Sequence, residues 1–139
     1  MIHKAKKSLG QNFLKSEPAL KMMCVAGDVN KEEIVVEIGH GKGALTSKLL
    51  EKVKMVIAIE KDYDLVKILE EKFSSEIKSG FFILVQGDIL NFDPKEYKLK
   101  NCNYKVIANI PYNITGAIFK KFLSGEVKPK TMVLLVQKE

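Results

Sequence analysis

The stretch that decides the fold is residues 34–43, which read Ile-Val-Val-Glu-Ile-Gly-His-Gly-Lys-Gly. Its first five residues form an apolar run interrupted only by Glu37, which is typical of a buried strand. Three glycines alternate over the next five positions, and apolar residues then recur at helical spacing: Ala44, Leu45, Leu49 and Leu50. A strand, a glycine turn and a helix in this order are typical of a nucleotide-binding turn, because glycines let the backbone approach a ligand and the helix start offers free N–H groups.

Outside this turn, short apolar runs alternate with helical patterns along the chain. The runs at residues 55–59, 81–85 and 131–136 predict strands, and the segments after the first two runs predict a helix and a mostly irregular connection. Strands that alternate with helices predict an α/β fold whose mostly parallel sheet has helices on both faces. No linker or internal repeat is visible, so residues 1–139 are predicted to form one domain.

Acidic residues follow two of these strands at the point where each strand ends. Glu60 comes directly after residues 55–59, and Asp88 follows residues 81–85. The carboxyl ends of parallel strands meet at the edge where open α/β sheets bind ligands. A carboxylate at Glu60 can accept from both vicinal hydroxyls of a ribose, and Asp88 together with the N–H of Ile89 can bind an adenine. The alternative for Glu60 is an ordinary surface acid.

Residues 106–112, Val-Ile-Ala-Asn-Ile-Pro-Tyr, predict another buried strand that ends in polar and aromatic groups. Asn109 offers an acceptor and a donor, and the carbonyl of Ile110 precedes Pro111, which has no N–H. Tyr112 offers a flat face. Acceptors beside a stacking surface suit a planar amine, such as the exocyclic nitrogen of a nucleobase. The alternative is a plain strand that stops at a proline where a helix starts. In both cases the pattern predicts a following helix whose inward-facing residues are Ile114, Ile118, Phe119, Phe122 and Leu123.

The charge of the chain favours a polyanionic partner. All 23 basic residues are lysines, against 17 acidic residues, and the net charge is +6. Without arginine, bidentate contacts to guanine or phosphate are excluded, so contact with nucleic acid would rely on point charges, backbone groups and stacking. A lysine-rich surface that serves only solubility is the alternative.

Cysteine usage and hydropathy narrow the class of protein further. Cys24 and Cys102 are far apart and have no histidine nearby, which favours reduced thiols and argues against a zinc site. The longest apolar runs are too short to span a bilayer, and no signal-type segment follows the basic N-terminus. We therefore expect a cytoplasmic protein without a metal.

Taken together, these motifs resemble those of the S-adenosylmethionine-dependent small-subunit ribosomal RNA adenine N6,N6-dimethyltransferases. The resemblance is carried jointly by Gly-Gln-Asn-Phe-Leu at residues 10–14, Glu-Ile-Gly-x-Gly-x-Gly at residues 37–43 and Asn-Ile-Pro-Tyr at residues 109–112. It implies a Rossmann-like methyltransferase fold with S-adenosyl-L-methionine as cofactor and small-subunit rRNA, within its precursor particle, as partner. It also implies that two adjacent adenosines near the 3′ end of that rRNA are each methylated twice.

The resemblance implies a role for each residue that matches a motif. The cofactor-binding residues would be Asn12 and Leu14 at the methionine end, Gly39 and Gly41 through their backbone, Glu60 at the ribose, Asp88 and Ile89 at the adenine, and Asn109 at the methyl group. The catalytic residues would be Asn109, Ile110, Pro111 and Tyr112. The Asn109 side chain and the Ile110 carbonyl would hold the amine so that its lone pair faces the methyl group, and Tyr112 would stack on the flipped-out base.

The chain departs from the family pattern in two places. His40 stands where the family more usually has proline, and we interpret it as a filler of the loop rather than a catalytic histidine. The chain also stops after the fifth predicted strand, where family members continue with further strands and a small helical domain that helps to bind RNA. The resemblance therefore implies the N-terminal catalytic part of a protein about twice this length, truncated after the fifth strand, with one edge of the sheet unpaired.

Three other functions remain open at the level of sequence. The large-subunit rRNA adenine methyltransferases that confer macrolide resistance share an Asn-Ile-Pro-Tyr type of site, although residues 10–14 and the final Gln-Lys-Glu favour the small-subunit enzymes. A non-catalytic RNA-binding assembly factor would keep the fold, but intact Glu60, Asp88 and Asn109 argue against lost chemistry. Small-molecule or protein glutamine methyltransferases prefer Asn-Pro-Pro-Tyr.

Overall fold

The computed structural model describes residues 17–39 and 42–137. Within these residues, one sheet of five parallel strands has the order β3-β2-β1-β4-β5. The strands are β1 Ile34–Ile38, β2 Met55–Glu60, β3 Phe82–Gln86, β4 Lys105–Pro111 and β5 Thr131–Gln137. The predicted α/β fold with a parallel sheet is confirmed, and β1, which leads into the glycine turn, lies at its centre.

The first helix precedes β1, and the other helices lie between the strands in sequence. They are α1 Glu17–Gly27, α2 Ala44–Lys52, α3 Tyr63–Lys72, α4 Ser74–Ser79 and α5 Thr115–Ser124, with short 3-10 helices at Ile89–Asn91, Pro94–Tyr97 and Tyr112–Ile114. Asp62 caps α3 because its Oδ1 accepts hydrogen bonds from the N–H groups of Asp64, at 2.9 Å, and Leu65, at 3.3 Å. A side chain that binds these free N–H groups fixes where the helix begins.

Each face of the sheet carries its own apolar core. One face packs against α1, α2 and α3 through residues that include Leu20, Met23, Leu45, Leu49 and Leu69. The other packs against α5 and the 3-10 segments through residues that include Ile118, Phe122, Ile89 and Phe92. The prediction of helices on both faces is thus confirmed. Because both faces are covered, a ligand can reach the sheet at the ends of its strands.

One short helix was not predicted, and one local expectation from the sequence was wrong. The connection over residues 91–104 is mostly irregular as expected, with the 3-10 helix Pro94–Tyr97 inside it, whereas α4 was not predicted. On α5, Ile118 and Phe122 are buried as expected, but Phe119 and Leu123 are exposed. Each lies one position beyond a buried residue, which turns it by about 100° around the helix and away from the sheet.

A buried lysine ties the first helix to the sheet. Lys105, at the start of β4, donates hydrogen bonds from Nζ to the carbonyl oxygens of Gly27 and Asp28, both at 2.8 Å. The same Nζ lies 3.3 Å from Oε1 of Glu33, whose Oε2 lies 3.6 Å from Nζ of Lys130. Because the last carbonyls of a helix have no partner within it, this ammonium group completes the C-terminus of α1 and compensates its own burial.

None of the helices in the described ranges is long and apolar enough to cross a membrane. Across residues 17–39 and 42–137, no three histidine, cysteine or acidic side chains are grouped so that they could hold a metal ion.

Candidate active site

A cleft of about 370 Å³ lies at the C-terminal ends of the central strands. Seven of the eight described residues with a predicted role line it: Gly39, Glu60, Asp88, Ile89, Asn109, Ile110 and Pro111. They come from four neighbouring strands or the turns that follow them, so the parallel sheet brings together groups that are far apart in sequence. A larger cleft, of about 670 Å³, lies elsewhere around Phe81 and is lined by none of them.

Gly39 and Asn109 are in backbone contact across the floor of the cleft. Gly39 has a φ of 72°, and a Cβ atom at this position would lie 2.0 Å from the carbonyl oxygen of Asn109. Only glycine fits here, because both the backbone angle and the space exclude a side chain. At the far end of the same turn, Gly43 has a φ of 96°, and a Cβ atom there would lie 2.7 Å from the ring of Phe73.

Strand β4 extends further in the C-terminal direction than its neighbour β1. Its pairing with β1 ends at Ala108 opposite Ile38, whereas its pairing with β5 continues to Pro111 opposite Gln137. Asn109, Ile110 and Pro111 therefore project past the end of β1 along one wall of the cleft. Asn109 is buried, and its Oδ1 atom has no hydrogen-bond partner among the described residues. An unpaired buried acceptor is unfavourable unless a ligand brings a donor to it.

Tyr112 lies at the rim rather than in the wall of the cleft. It begins the 3-10 helix that follows β4, directly after Pro111, and it is 70% exposed. An aromatic ring that is exposed beside a cleft presents a face on which a planar group can stack.

Glu60 ends β2 on the other side of β1, and its carboxylate is nearly buried. Its Oε2 accepts a hydrogen bond of 2.7 Å from the N–H of Asp62, and its carbonyl accepts one of 2.9 Å from the N–H of Gly87. These two bonds hold the end of β2 against the turn that follows β3. The carboxylate is thereby fixed in the cleft, where a bound diol would meet it.

The two carboxylate oxygens of Asp88 have different partners. Oδ1 accepts a hydrogen bond of 2.9 Å from the N–H of Leu90 and so caps the short helix Ile89–Asn91. Oδ2 lies 3.7 Å from Nζ of Lys61 at the mouth of the cleft. Both side chains of this ion pair are partly exposed, so it is weak, and Oδ2 can accept from a ligand.

Three residues with a predicted cofactor role, Asn12, Leu14 and Gly41, lie outside the described residues, as does His40. Their roles stay predictions.

The sequence did not assign a role to Glu37, which the structure places beneath the cleft. Its carboxyl group is fully buried in β1, and its Oε1 accepts a hydrogen bond of 2.7 Å from Oγ1 of Thr46 in the first turn of α2. Burial raises the pKa of Glu37 to about 8, the hydrogen bond from Thr46 opposes the rise, and the nearby negative charge of Glu60 adds to it. The signal in the sequence was an acid inside an otherwise apolar strand.

The comparison with protein families agrees with a ligand-binding cleft at the C-terminal ends of the strands. A model of the family described as ribosomal RNA adenine dimethylase matches residues 2–139. The chain belongs to this family. Gly39 of its glycine motif and Asn109, Ile110 and Pro111 of its Asn-Ile-Pro-Tyr motif line the cleft.

Curated relatives within the family carry the name ribosomal RNA small subunit methyltransferase A. The protein from Dehalococcoides mccartyi is 43% identical over 136 residues, which are 98% of this chain and 46% of that protein. The protein from Clostridium botulinum is 38% identical over 136 residues, or 98% of this chain and 48% of that protein. The chain thus spans about half the length of the curated relatives it matches.

Solved structures of related proteins share the fold. The 23S rRNA methyltransferase ErmE is 27% identical with a TM-score of 0.72 over 88% of this chain and 48% of that chain. A dimethyladenosine transferase from Plasmodium falciparum is 28% identical with a TM-score of 0.69 over 86% of this chain and 41% of that chain. An RNA methyltransferase from Salinibacter ruber, in complex with S-adenosyl-L-homocysteine, is 18% identical with a TM-score of 0.59, which shows likeness of fold.

The dimethylases of this family depend on S-adenosyl-L-methionine, and the cleft fits that cofactor. The fit rests on a buried carboxylate at the end of β2, on the partly open carboxylate of Asp88 after β3, and on Oδ1 of Asn109 on β4, which has no partner in the described part of the chain. These are acceptors for hydroxyl and amino groups, which the adenosine part of the cofactor supplies.

Proposed function

We propose that this chain is the cofactor-binding and amine-binding part of an enzyme that dimethylates N6 of two adjacent adenosines near the 3′ end of small-subunit rRNA. S-adenosyl-L-methionine, when bound, supplies an electrophilic methyl group on a sulfonium. Residues 1–139 form one catalytic domain in this proposal, and the remaining half of the protein would complete the RNA-binding surface. The expected cytoplasmic location stays a prediction.

The observation that carries the proposal is the placement of Asn109. Its buried Oδ1 lacks a partner within residues 17–39 and 42–137, and it lies on the part of β4 that extends past β1, directly beside Gly39. An exocyclic amine that enters the cleft along this wall can donate one hydrogen to Oδ1. A buried acceptor that is satisfied only by the substrate holds that substrate in one orientation.

Ile110 and Tyr112 provide the remaining contacts to the base. The carbonyl of Ile110 precedes a proline, so it can accept from the amine with no backbone N–H of the next residue beside it. When the amine donates to both oxygens, its nitrogen is drawn towards a tetrahedral shape, and its lone pair is freed from the ring. Tyr112 stacks on the ring of an adenine that has left its helix. Correct positioning of the amine then supplies most of the acceleration of methyl transfer, because the methyl donor is itself reactive.

Glu60 and Asp88 orient the cofactor at the opposite side of the cleft. Glu60 is held in place by the N–H of Asp62, and its carboxylate accepts from the ribose hydroxyls. Asp88 keeps Oδ2 for the adenine amino group while Oδ1 caps the following turn, and the N–H of Ile89 donates to the ring. With the adenosine fixed at these strand ends, the methyl group is directed towards Asn109.

The relatives favour the small subunit as the target. Proteins named for the small subunit are 38–43% identical to this chain, whereas ErmE, a 23S rRNA methyltransferase, is 27% identical. The structural likeness to ErmE keeps large-subunit rRNA as a second candidate. RNA contact in either case rests on lysine charges, and binding should weaken steeply as salt rises.

The test is calorimetric titration of the full-length protein with S-adenosyl-L-methionine, followed by transfer of labelled methyl groups to undermethylated small-subunit particles and to naked large-subunit rRNA. We expect cofactor binding and up to four methyl groups per small-subunit particle, since two adenosines each accept two. Absence of cofactor binding refutes the proposal. Transfer to large-subunit rRNA alone would replace the main target with the second candidate.

A further inference from the structure

Glu37 is a buried acid that the proposed mechanism does not use. None of its surface is exposed, and Oε2 has no hydrogen-bond partner among the described residues, whereas Oε1 accepts from Thr46. A buried carboxylate with one unpaired oxygen is costly in its charged form. Such a group is stable only when it is neutral or when a positive charge lies near it.

The register of the sheet places Glu37 between the two sides of the cleft. It pairs with Ala58 on β2 and with Ile107 on β4. Because side chains alternate along a strand, Glu60 and Asn109, each two residues further on, point to the same face of the sheet as Glu37. Strand spacing and rise put the Cβ atoms of such diagonal neighbours about 8 Å apart. Glu37 therefore lies beneath the cleft, two residues before Gly39 on β1, and is deeper in the protein than the residues that line the cleft.

Among the described residues, no positively charged group contributes to the pKa shift of Glu37. Glu60 on β2 raises the pKa of Glu37. Burial raises the pKa of the Cys24 thiol on α1; Lys52 and Lys48 of α2 oppose the rise, and the charge of Glu37 adds to it. Thr46 supplies a neutral hydrogen bond. With its pKa raised to about 8, the carboxyl group carries a proton at neutral pH when the cleft is empty.

We propose that Glu37 is a positioning residue that distinguishes the positively charged methyl donor from the neutral product, becoming negative when a cation occupies the cleft above it. This inference rests on the proposed function. S-adenosyl-L-methionine has a net charge of +1, because its sulfonium adds to a balanced ammonium and carboxylate. Loss of the methyl group gives S-adenosyl-L-homocysteine, whose net charge is zero. A site that acquires a negative charge for the donor and loses it for the product favours release of the product after each transfer.

Protonation links this preference to pH with a defined sign. A cation in the cleft lowers the pKa of Glu37, so binding of the cation releases a proton at any pH between the new pKa and the old one. The affinity for the cation then rises with pH below about 8, where the free protein is protonated, and levels off above it. The neutral product shows no such dependence.

The experiment uses two stable ligands and the full-length protein. Sinefungin carries an ammonium group where the donor has its sulfonium, and S-adenosyl-L-homocysteine is the neutral counterpart. Calorimetry at pH 6.5 to 8.5, in buffers of different ionisation enthalpy, measures affinity and proton release for each ligand. We expect wild-type protein to release more protons on binding sinefungin than on binding S-adenosyl-L-homocysteine.

Two variants separate charge from structure. Glu37→Gln keeps an acceptor for Thr46 and removes the ionisation, so we expect it to lose the extra proton release. If the cation lowers the pKa of Glu37 by one unit, the preference for sinefungin that the variant loses approaches tenfold above about pH 8 and is about twofold at pH 7. Thr46→Val removes the hydrogen bond and keeps the acid, so it should retain the preference. Glu33→Gln, an acid at the opposite end of β1, should leave both readouts unchanged.

Equal proton release for the two ligands in wild-type protein, or an unchanged preference in Glu37→Gln, overturns the inference. So does a Glu37→Gln variant that loses both ligands to the same extent, since this is the result for a purely structural clamp. In each of these cases wild-type protein still binds the product, and the proposed function stands. If neither ligand binds wild-type protein, the proposed function itself fails.

Discussion

Lys105 Nζ donates a 2.8 Å hydrogen bond to the carbonyl oxygen of Gly27, which lies 78 positions earlier in the chain. The contact joins the end of the first helix to the start of the strand that carries Asn109. We expect Lys105→Met to lower the free energy of unfolding by on the order of 3 kcal/mol, because two helix carbonyls lose their donor and Glu33 loses its buried partner. Urea unfolding measures the change. Lys130→Met is the control, since Lys130 is exposed and its pair with Glu33 should contribute below about 1 kcal/mol; equal losses in the two variants would contradict this account.

Gly39→Ala tests the contact between the glycine turn and Asn109. The new methyl group would lie 2.0 Å from the carbonyl oxygen of Asn109, and the φ of 72° is unfavourable for alanine. We expect a loss of stability well above the roughly 1 kcal/mol of the backbone angle alone, together with weaker cofactor binding because Asn109 is displaced. Thermal unfolding and calorimetry measure the two effects. Gly116→Ala, where a Cβ atom meets nothing within 4 Å, should change neither.

Asn109→Ala separates binding of the cofactor from transfer of its methyl group. The variant loses the acceptor that holds the amine, so we expect the single-turnover rate to fall by about 10²-fold or more, a loss of the size found when one oriented group is removed from a reacting centre. Cofactor binding, measured by calorimetry, should survive at least in part because Glu60 and Asp88 remain. Asn113→Ala, an exposed residue of the same type, should transfer normally. A normal rate in Asn109→Ala would remove the central residue of the proposed mechanism.

Tyr112 should act through its ring rather than its hydroxyl group. Stacking of a base on an aromatic side chain contributes about 1–3 kcal/mol, so Tyr112→Ala should lower kcat/KM for rRNA by roughly tenfold or more. Tyr112→Phe keeps the ring and should stay close to wild type. Neither variant should alter the affinity for S-adenosyl-L-methionine. If Tyr112→Phe is as defective as Tyr112→Ala, the hydroxyl group rather than the ring is required.

The buried carboxyl group of Glu37 should make stability depend on pH. Its pKa in the folded protein is about 8, above the value of 4.5 for an exposed glutamate, so between these values the folded state binds the proton and the unfolded state does not. Stability from this group therefore falls as pH rises, with a slope approaching 1.4 kcal/mol, or about one factor of ten, per pH unit. Urea midpoints from pH 5 to 8 should decline in wild-type protein and decline less in Glu37→Gln. Parallel curves would show that Glu37 does not titrate in this range.

The sequence predicted the features of the fold that depend on local pattern. Glu60, Asp88 and Asn109 could be placed near one another before the strand order was known, because every parallel strand delivers its carboxyl end to the same edge. In each case the signal lies within a few residues of the feature that it predicts.

Other features depend on pairings that no local pattern specifies. The pair of Glu37 and Thr46, the ammonium group of Lys105 at the end of α1, and the overhang of Asn109 past β1 all follow from register between strands and helices. The local sequence shows that a lysine or glutamate on a strand is polar, but it does not show which residue the side chain contacts. Phe119 was assigned to the wrong face of α5 because an apolar residue beside a buried stripe has the same local pattern as one within it.

The central position of β1 gives synthesis of this chain a definite order of events. β1 can pair with β2, and β2 with β3, soon after they leave the ribosome, but the other edge of β1 stays open until β4 has been made, since domains fold from the N-terminus as they emerge. An open, apolar strand edge is a site for association with other chains. The strand that carries Asn109 is thus also the one that closes the middle of the sheet. We expect substitutions that weaken its pairing to reveal themselves in cells first as aggregation and lower yield, before any loss of specific activity in the molecules that fold.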